Sequence, residues 1–190
     1  MRPRKSVAFT LLAAILAATC AAAPVAADTR DPEAFPPRVR CATADLELCS
    51  TGLVRRLLMR ALAAGLYLER CGAAGDVLAD VPKALEISYF WPIAAADLAR
   101  AGDDVLARSF TAAELAPVRD RIARLHAAYR DVQPGDRYRL AYVPGRGTEL
   151  ALNDTPLVVI PGADFASIYF SIWLGDRPAG VLAGNRHPPL

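Results

Sequence analysis

The order of the secondary-structure signals predicts an α+β fold, in which an antiparallel sheet is covered by helices on one face. After residue 36, apolar and polar residues alternate as in strands, and helical patterns follow over 94–132. Strand-like alternation then returns and is followed by a last helical pattern. Strands grouped apart from helices are typical of this fold class. The chain has 190 residues, of which 54% are hydrophobic and 22% charged, so it is long enough for one substantial core and too apolar for a disordered protein.

The first 27 residues have the layout of a secretory signal peptide. A positive start at Arg2, Arg4 and Lys5 precedes an almost uncharged run over 7–23, and small residues at 25–27 provide a cleavage site.

This layout divides the chain into a signal peptide over 1–27, a flexible lead-in over 28–36 and one domain over 37–190. It predicts a periplasmic or secreted protein. A retained membrane anchor is the alternative, disfavoured because the apolar run is short for a span of about 20 residues. Lipidation of Cys20 is disfavoured because Thr19 stands where a smaller residue is usual.

The charge of the mature chain does not favour nucleic acid as a partner. The sequence carries 22 basic and 20 acidic residues, and cleavage would remove three basic residues and no acidic ones. A nearly neutral domain has no electrostatic attraction to DNA or anionic lipid as a whole. No second apolar run of spanning length follows, so we expect no transmembrane segment after cleavage. The oligomeric state is left open.

Three cysteines remain after cleavage, at Cys41, Cys49 and Cys71. Export permits a disulfide and an odd number leaves one thiol over, so we expect one disulfide and one free cysteine, with the pairing open. No CxxC pair occurs and the only histidines are His126 and His187. The sequence therefore predicts no metal site and implies no cofactor.

The domain begins with two short strands and a stretch of uncertain type. Residues 39–41 and 46–50 are predicted strands around a turn at 43–45, because apolar and polar residues alternate. Residues 54–68 are rich in helix-favouring Ala, Leu and Arg, whereas their last three residues are more typical of a strand. Composition and periodicity leave this stretch open.

The middle of the chain predicts a strand over 83–91 and then helices over 94–108 and 111–132. Thr111 and Glu114 fit a capping box at the start of the second helix. Pro117 lies past the first turn of that helix and predicts a kink or a later start.

The last third returns to strands and ends in a helix. Three strands are predicted, over 137–143, 148–152 and 157–160, with tight turns at 144–147 and 153–154. Apolar residues at helical spacing predict a helix over 164–174 that ends at Gly175.

No pattern in the chain carries a strong catalytic signal. There is no GxSxG nucleophile elbow. His126 is interpreted as a surface or half-buried helical histidine, and His187 lies in a proline-rich tail. Asp103 and Asp104 are helical neighbours, which point about 100° apart and do not share a site.

Two features are candidates for binding. Arg55, Arg56 and Arg60 form a basic cluster, which could bind a carboxylate in an apolar cleft or pair with surface acids on an outer face. Most aromatic residues are expected in the core, but a tyrosine such as Tyr67 or Tyr89 could donate a hydrogen bond to an anionic head group.

Several short motifs are spread along nearly the whole mature chain, from about residue 37 to 183. They are RALAAGLYLE over 60–69, Gly135-Asp136, YVPGRGT over 142–148, GADF over 162–165, and IWLGD over 172–176 followed by Pro178. In this order and spacing the chain resembles the bacterial chalcone isomerase-like proteins. The resemblance implies an open-faced β-sandwich, a large antiparallel sheet covered on one face by a layer of helices. It also implies a long strand within 54–68.

Members of the family that this chain resembles differ in function. The plant enzymes close a flavanone ring with an arginine, a tyrosine and other hydrogen-bonding residues in a cleft, and related members bind fatty acids through an arginine and a tyrosine. The cleft arginine follows a glycine-containing turn, which places it at Arg55, with Arg56 as second candidate. The plant threonine, tyrosine and asparagine fall near Leu62, Ala96 and Asp103, so the resemblance does not imply chalcone cyclisation.

These observations predict an exported, non-catalytic protein that binds a small apolar carboxylate, such as a fatty acid, between sheet and helices. Arg55 or Arg56 would hold the head group, with Tyr67 and Tyr89 as further ligand-binding residues. One alternative is an intramolecular lyase or isomerase of the chalcone isomerase type on an unknown substrate, with a tyrosine as general acid or base. The other is a ligandless structural or interaction module. No catalytic residue is assigned.

Overall fold

The computed structural model describes residues 34–56, 59–72 and 76–174. Within them, seven antiparallel strands form one sheet in chain order. The strands are β1 (Arg38–Cys41), β2 (Ala44–Arg56), β3 (Met59–Leu68), β4 (Lys83–Tyr89), β5 (Arg137–Val143), β6 (Gly147–Leu152) and β7 (Thr155–Ile160). The helices are α1 (Ala95–Ser109), α2 (Ala112–Leu115), α3 (Arg119–Ala127) and α4 (Ala163–Leu174), with one 3-10 turn over Ala116–Val118. The predicted signal peptide with Cys20, most of the lead-in, Gly175 and His187 lie outside the described residues.

The predicted α+β architecture is confirmed, with helices on one face of a curled sheet. Leu106 of α1, Leu125 of α3 and Phe165 of α4 are buried in one core with Leu85 and Leu140 of the sheet. A smaller core lies on the opposite face, which we call the outer face, and it consists of Cys41, Ala44, Leu46, Tyr67, Ala84 and Ala141. The predicted strands and helix of the last third are confirmed as β5, β6, β7 and α4, because a period of two or of 3.6 is a local signal.

Within the ambiguous stretch 54–68, residues 54–56 form the end of β2 and residues 59–68 form β3, as the resemblance implied and against their helix propensity. β3 pairs with β4 from Leu62↔Tyr89 to Leu68↔Lys83, and its central residues are buried on both faces. A Cβ on Gly65 would lie 3.0 Å from the ring of Phe35, so glycine is needed where the lead-in crosses the strand. Burial between two partner strands outweighs a weak preference for helix.

The single helix predicted over 111–132 is wrong in its extent. The capping box is present, with the Thr111 amide donating to Glu114 Oε2 at 2.7 Å. Pro117, which has no amide hydrogen, lies in the 3-10 turn that separates α2 from α3. α3 ends at Ala127, and Val132 instead exchanges backbone hydrogen bonds with Ile93.

β4 also ends earlier than predicted, at Tyr89 and not at 91. The Phe90 amide donates to the Ala61 carbonyl at 3.2 Å, and the Trp91 indole donates to the Arg60 carbonyl at 2.8 Å. Trp91 thereby leaves the sheet and is half exposed.

One disulfide and one free thiol are present in the described residues, as predicted. Cys49 of β2 is bonded to Cys71, which follows β3, and Cys41 is free and buried. Burial raises the pKa of the Cys41 thiol to about 11, so this thiol is protonated and unreactive at neutral pH. No helix in the described ranges is both long and apolar enough to cross a membrane.

Candidate functional site

A cavity of about 680 Å³ lies between α1 on one side and α2 and α3 on the other. We call it the helical groove. Leu106 and Phe110 line one wall, and Leu115 and Ile122 line the other. These side chains belong to the apolar faces of amphipathic helices. The most deeply buried residues of the same faces form part of the core. The volume lies within the range typical of small-molecule sites, about 300–1,000 Å³.

Three polar residues, Asp103, Arg119 and His126, line this otherwise apolar groove. Arg119 is the first residue of α3 and is exposed. Among the described residues, no carboxylate pairs with its guanidinium. An unpaired guanidinium beside an apolar surface is suited to a ligand carboxylate, which it can bind through two parallel charge-assisted hydrogen bonds.

His126 connects the groove to a chain of buried hydroxyl groups. Its Nε2 lies 3.0 Å from Tyr169 Oη, which in turn lies 2.7 Å from Tyr129 Oη. Its Nδ1 lies 3.4 Å from Asp103 Oδ1. Burial lowers the pKa of His126, against the opposing effect of the Asp103 carboxylate. The neutral imidazole can then accept from the Tyr169 hydroxyl and direct its Nδ1 hydrogen towards Asp103.

A glycine of α1 allows this arrangement. A Cβ on Gly102 would lie 3.3 Å from His126 Nε2 and 3.7 Å from Tyr169 Oη. The prediction of a half-buried helical histidine was therefore right about the environment of His126. It missed Tyr169, which lies 43 residues further along the chain. No local signal in the sequence pairs these two residues.

The outer face has a second cavity, of about 310 Å³, with a polar lining. Glu86 Oε2 lies 3.2 Å from Arg137 Nη1, and Glu86 Oε1 lies 3.6 Å from Arg139 Nη1. Arg139 also pairs with Asp154 at 2.7 Å. The lead-in covers the cluster, since Arg137 Nη2 donates to the Ala34 carbonyl at 2.9 Å. These charges neutralise one another, which is typical of a structural cluster and unsuited to an apolar ligand.

The structure does not bring the four predicted ligand-binding residues together. Arg55 is exposed near the end of β2, opposite Arg60. Arg56 ends β2 opposite Met59, and its side chain lies outside what is described. Arg55 does not line either cavity described above.

Tyr67 and Tyr89 lie on opposite faces of the sheet. The Tyr67 hydroxyl donates to the Pro36 carbonyl at 3.1 Å and lies 3.4 Å from Glu86 Oε2 on the outer face. Tyr89 is buried in the helix-side core, edge-on to Tyr138 at 6.1 Å between ring centroids. Burial raises the pKa of both hydroxyls. Since side chains alternate between faces along a strand, these two tyrosines cannot share one cavity.

The positions near which the resemblance places the plant enzymes' hydrogen-bonding residues lie in different environments. Leu62 packs against the helix-side core, and Ala96 is exposed in the first turn of α1. Asp103 is the member of this set that lines the helical groove.

Comparison with known proteins agrees with this architecture. The family described as chalcone isomerase-like matches residues 29–181. No curated protein matches the chain in sequence. Among solved structures, the chain is similar to an Arabidopsis thaliana fatty-acid binding protein, with a TM-score of 0.58 and 12% identity over 76% of this chain and 86% of that one. At this level of identity the similarity shows a common fold.

Proposed function

This chain belongs to the chalcone isomerase-like family, and we propose that it is an exported protein that binds a small apolar carboxylate, such as a fatty acid, without transforming it. The observation that carries the proposal is the helical groove, which has apolar walls and, at Arg119, a guanidinium that no carboxylate of the described residues pairs with. The fold shared with a fatty-acid binding protein supports the ligand class. The apolar run and cleavage site within 1–27 support export to the periplasm or beyond.

In this proposal the carboxylate is bound by Arg119 and the apolar chain lies along Leu106, Phe110, Leu115 and Ile122. Each buried methylene contributes about 0.8 kcal/mol, so affinity should increase with chain length until the groove is filled. Arg55 and Arg56, which the sequence analysis predicted to hold the head group, are the alternative anchor.

The anchor is tested by calorimetric titration of the purified protein with dodecanoate. Arg119→Ala should weaken binding about 10- to 100-fold, because a hydrogen-bonded charge contributes roughly 1.5–3 kcal/mol. Arg124→Ala removes another exposed arginine of α3 that does not line the groove, and it should change the affinity less than about twofold. A loss on Arg55→Ala or Arg56→Ala, with Arg119→Ala unaffected, would instead place the head group at the β2–β3 hairpin.

The groove itself is tested by filling it. Ala123 is exposed and lines the groove, whereas Ala127 is exposed on the same helix and does not. Ala123→Leu should abolish dodecanoate binding and Ala127→Leu should leave it intact. Absence of binding in the unmodified protein, together with a ligand-free mass after purification from its own host, would favour the ligandless module.

A second candidate, an isomerase or intramolecular lyase, is favoured by the hydrogen bond between His126 and Tyr169 at the groove wall. It gives the groove an imidazole that can accept a proton from a bound acid and return it. Deuterium exchange from D₂O into a bound β,γ-unsaturated acid, lost in His126→Gln while binding is retained, would establish this function. No exchange above the uncatalysed rate would exclude His126 as a general base for that class of acid.

A further inference from the structure

The polar residues of the helical groove are divided between its two ends. Asp103 of α1 faces His126 of α3, with 3.4 Å between Asp103 Oδ1 and His126 Nδ1. Arg119 lies at the opposite end of α3, as its first residue. The side chains that line the groove between these ends include Leu106 and Ile122, which are both buried. The groove is therefore polar at each end and apolar in between.

The spacing of the two polar ends follows from the geometry of α3. Arg119 and His126 are seven positions apart in this helix, so they lie on the same face and about two turns apart. At a rise of about 1.5 Å per residue, they are separated by roughly 10.5 Å along the helix axis. An extended chain advances about 3.5 Å for every three bonds, so about nine bonds cover that distance. A ligand that contacts both ends needs a spacer of about this length.

The charges of the groove give a bound acid a direction. The Arg119 guanidinium attracts a carboxylate, whereas the Asp103 carboxylate repels one. The C-terminal end of a helix carries a partial negative charge, and the last turn of α3 contains His126. A ligand carboxylate is therefore favoured beside Arg119 and disfavoured beside Asp103.

At the Asp103 end, the group that is left to bind a ligand is a hydrogen-bond acceptor. His126 Nε2 lies 3.0 Å from the Tyr169 hydroxyl and Nδ1 faces Asp103, so the one donor and the one acceptor of a neutral imidazole are both engaged. Within the part of the chain that the structure describes, no donor bonds to Asp103 Oδ2. A carboxylate only accepts hydrogen bonds, so a ligand group that binds here has to donate one.

We propose that the preferred ligand of the groove is an apolar acid with a hydroxyl group about nine bonds from its carboxylate, an inference that rests on the proposed function. The carboxylate binds Arg119, the chain lies along Leu106 and Ile122, and the hydroxyl donates to Asp103. An unsubstituted fatty acid would bring a methyl group to this carboxylate instead. An ammonium group could also donate there, but it loses far more than a hydroxyl does on leaving water for apolar walls.

Calorimetric titration of the protein purified from its host with matched ten-carbon acids tests the inference. 10-Hydroxydecanoate should bind about five- to tenfold more tightly than decanoate, because the hydrogen bond forms to a carboxylate whose side chain is 64% exposed. 3-Hydroxydecanoate, whose hydroxyl lies close to its own carboxylate, should bind within about twofold of decanoate. Decanedioate should bind at least about fivefold more weakly than decanoate, because its second carboxylate would lie near Asp103.

Two neighbouring variants test whether Asp103 causes the preference. In Asp103→Ala, the ratio of the affinity for 10-hydroxydecanoate to the affinity for decanoate should fall to about one. Asp104→Ala removes the next carboxylate of α1, which is also exposed but does not line the groove, and it should leave this ratio unchanged. A ratio that persists in Asp103→Ala, or that falls equally in both variants, would overturn the role of Asp103.

The same titrations distinguish failure of the hydroxyl preference from failure of acid binding. Equal affinities for decanoate and 10-hydroxydecanoate would overturn the preference and leave the proposed function standing. Binding of none of these acids would overturn both. 10-Aminodecanoate is the remaining probe. If it binds more tightly than 10-hydroxydecanoate and loses this advantage in Asp103→Ala, the groove selects a cation and the hydroxyl preference is wrong.

Discussion

Among the residues that the structure describes, opposite charges are buried in pairs on the outer face of the sheet, whereas hydroxyl groups, a histidine and a lysine are buried on its helix side. Glu86 is 4% exposed and Arg137 is 8% exposed, and they pair with each other under the lead-in. On the helix side, Tyr169 and Tyr129 bond to each other and Lys83 donates to backbone carbonyls. The comparison shows that paired charges lie where the lead-in crosses the sheet, whereas the guanidinium of Arg119 at the groove has no carboxylate partner within the part of the chain that the structure describes.

The largest effect should come from breaking a charge pair on the outer face. Glu86→Gln leaves the buried Arg137 without its carboxylate, and we expect a loss of about 3–5 kcal/mol in the free energy of unfolding. Asp154→Asn removes the exposed partner of Arg139 and should cost less than about 1 kcal/mol. Urea unfolding of both variants checks this. Similar losses in the two would contradict the contrast between buried and exposed pairs.

Lys83 provides a test of the helix side. It is fully buried, and its Nζ donates to the carbonyls of Ala79 and Val81 at 2.6 and 3.0 Å. Burial lowers its pKa to about 8, against the opposing effect of Asp80 and Asp76.

Because the unfolded chain retains the Lys83 proton up to the ordinary pKa of 10.5 and the folded chain does not, stability should rise with pH from about 8 to 10. We expect roughly 2–3 kcal/mol, since each unit of pKa difference corresponds to about 1.4 kcal/mol. Urea titrations at pH 7.5 and 9.8 measure the rise. Lys83→Met should remove this rise in stability. If the rise persists in that variant, another titratable group causes the pH dependence.

A smaller effect is expected from the hydroxyl chain. Tyr169→Phe removes the hydroxyl between His126 and Tyr129 and should cost about 1–2 kcal/mol, because two polar groups lose a partner in the interior. Tyr142→Phe is the comparison, because its hydroxyl bonds to the exposed Asp80. Thermal unfolding should show a smaller shift for that variant. A neutral Tyr169→Phe would mean that water replaces the missing hydroxyl.

The smallest effect should come from an ion pair at the start of α4. Arg121 Nη1 donates to Asp164 Oδ1 at 2.8 Å, and this bond lowers the pKa of Asp164 to about 2. The resulting stability is present above the ordinary pKa of 3.8 and is lost as the pH falls towards 2. It should be less than about 1 kcal/mol, since the pair is largely solvated. Asp164→Asn should abolish this part of the acid transition in urea titrations at pH 5 and 2.5.

Local patterns predicted most elements well. Thr111 and Glu114 marked the start of α2 because a capping box needs only four consecutive residues. The same residues could not show that the helix would end at Ala127, since that end depends on the bridge between Val132 and Ile93. The candidate groove depends on packing that no pattern in the sequence indicates. Arg55 and Arg119 have similar local sequences, since each follows an apolar residue. Only the packing of α1 against α3 places Arg119, and not Arg55, beside the groove.

The sequence by itself determined the order and type of most elements, the expectation of one disulfide and one free cysteine, and the family. These follow from periodicities, caps and short motifs that span a few residues each. Tertiary structure decided that residues 54–56 and 59–68 are strand, that Cys49 bonds to Cys71, and that Tyr67 and Tyr89 face opposite ways. The physical reason is separation along the chain. The disulfide joins residues 22 positions apart, and β3 is held in the sheet by its pairing with β4 from Leu62↔Tyr89 to Leu68↔Lys83.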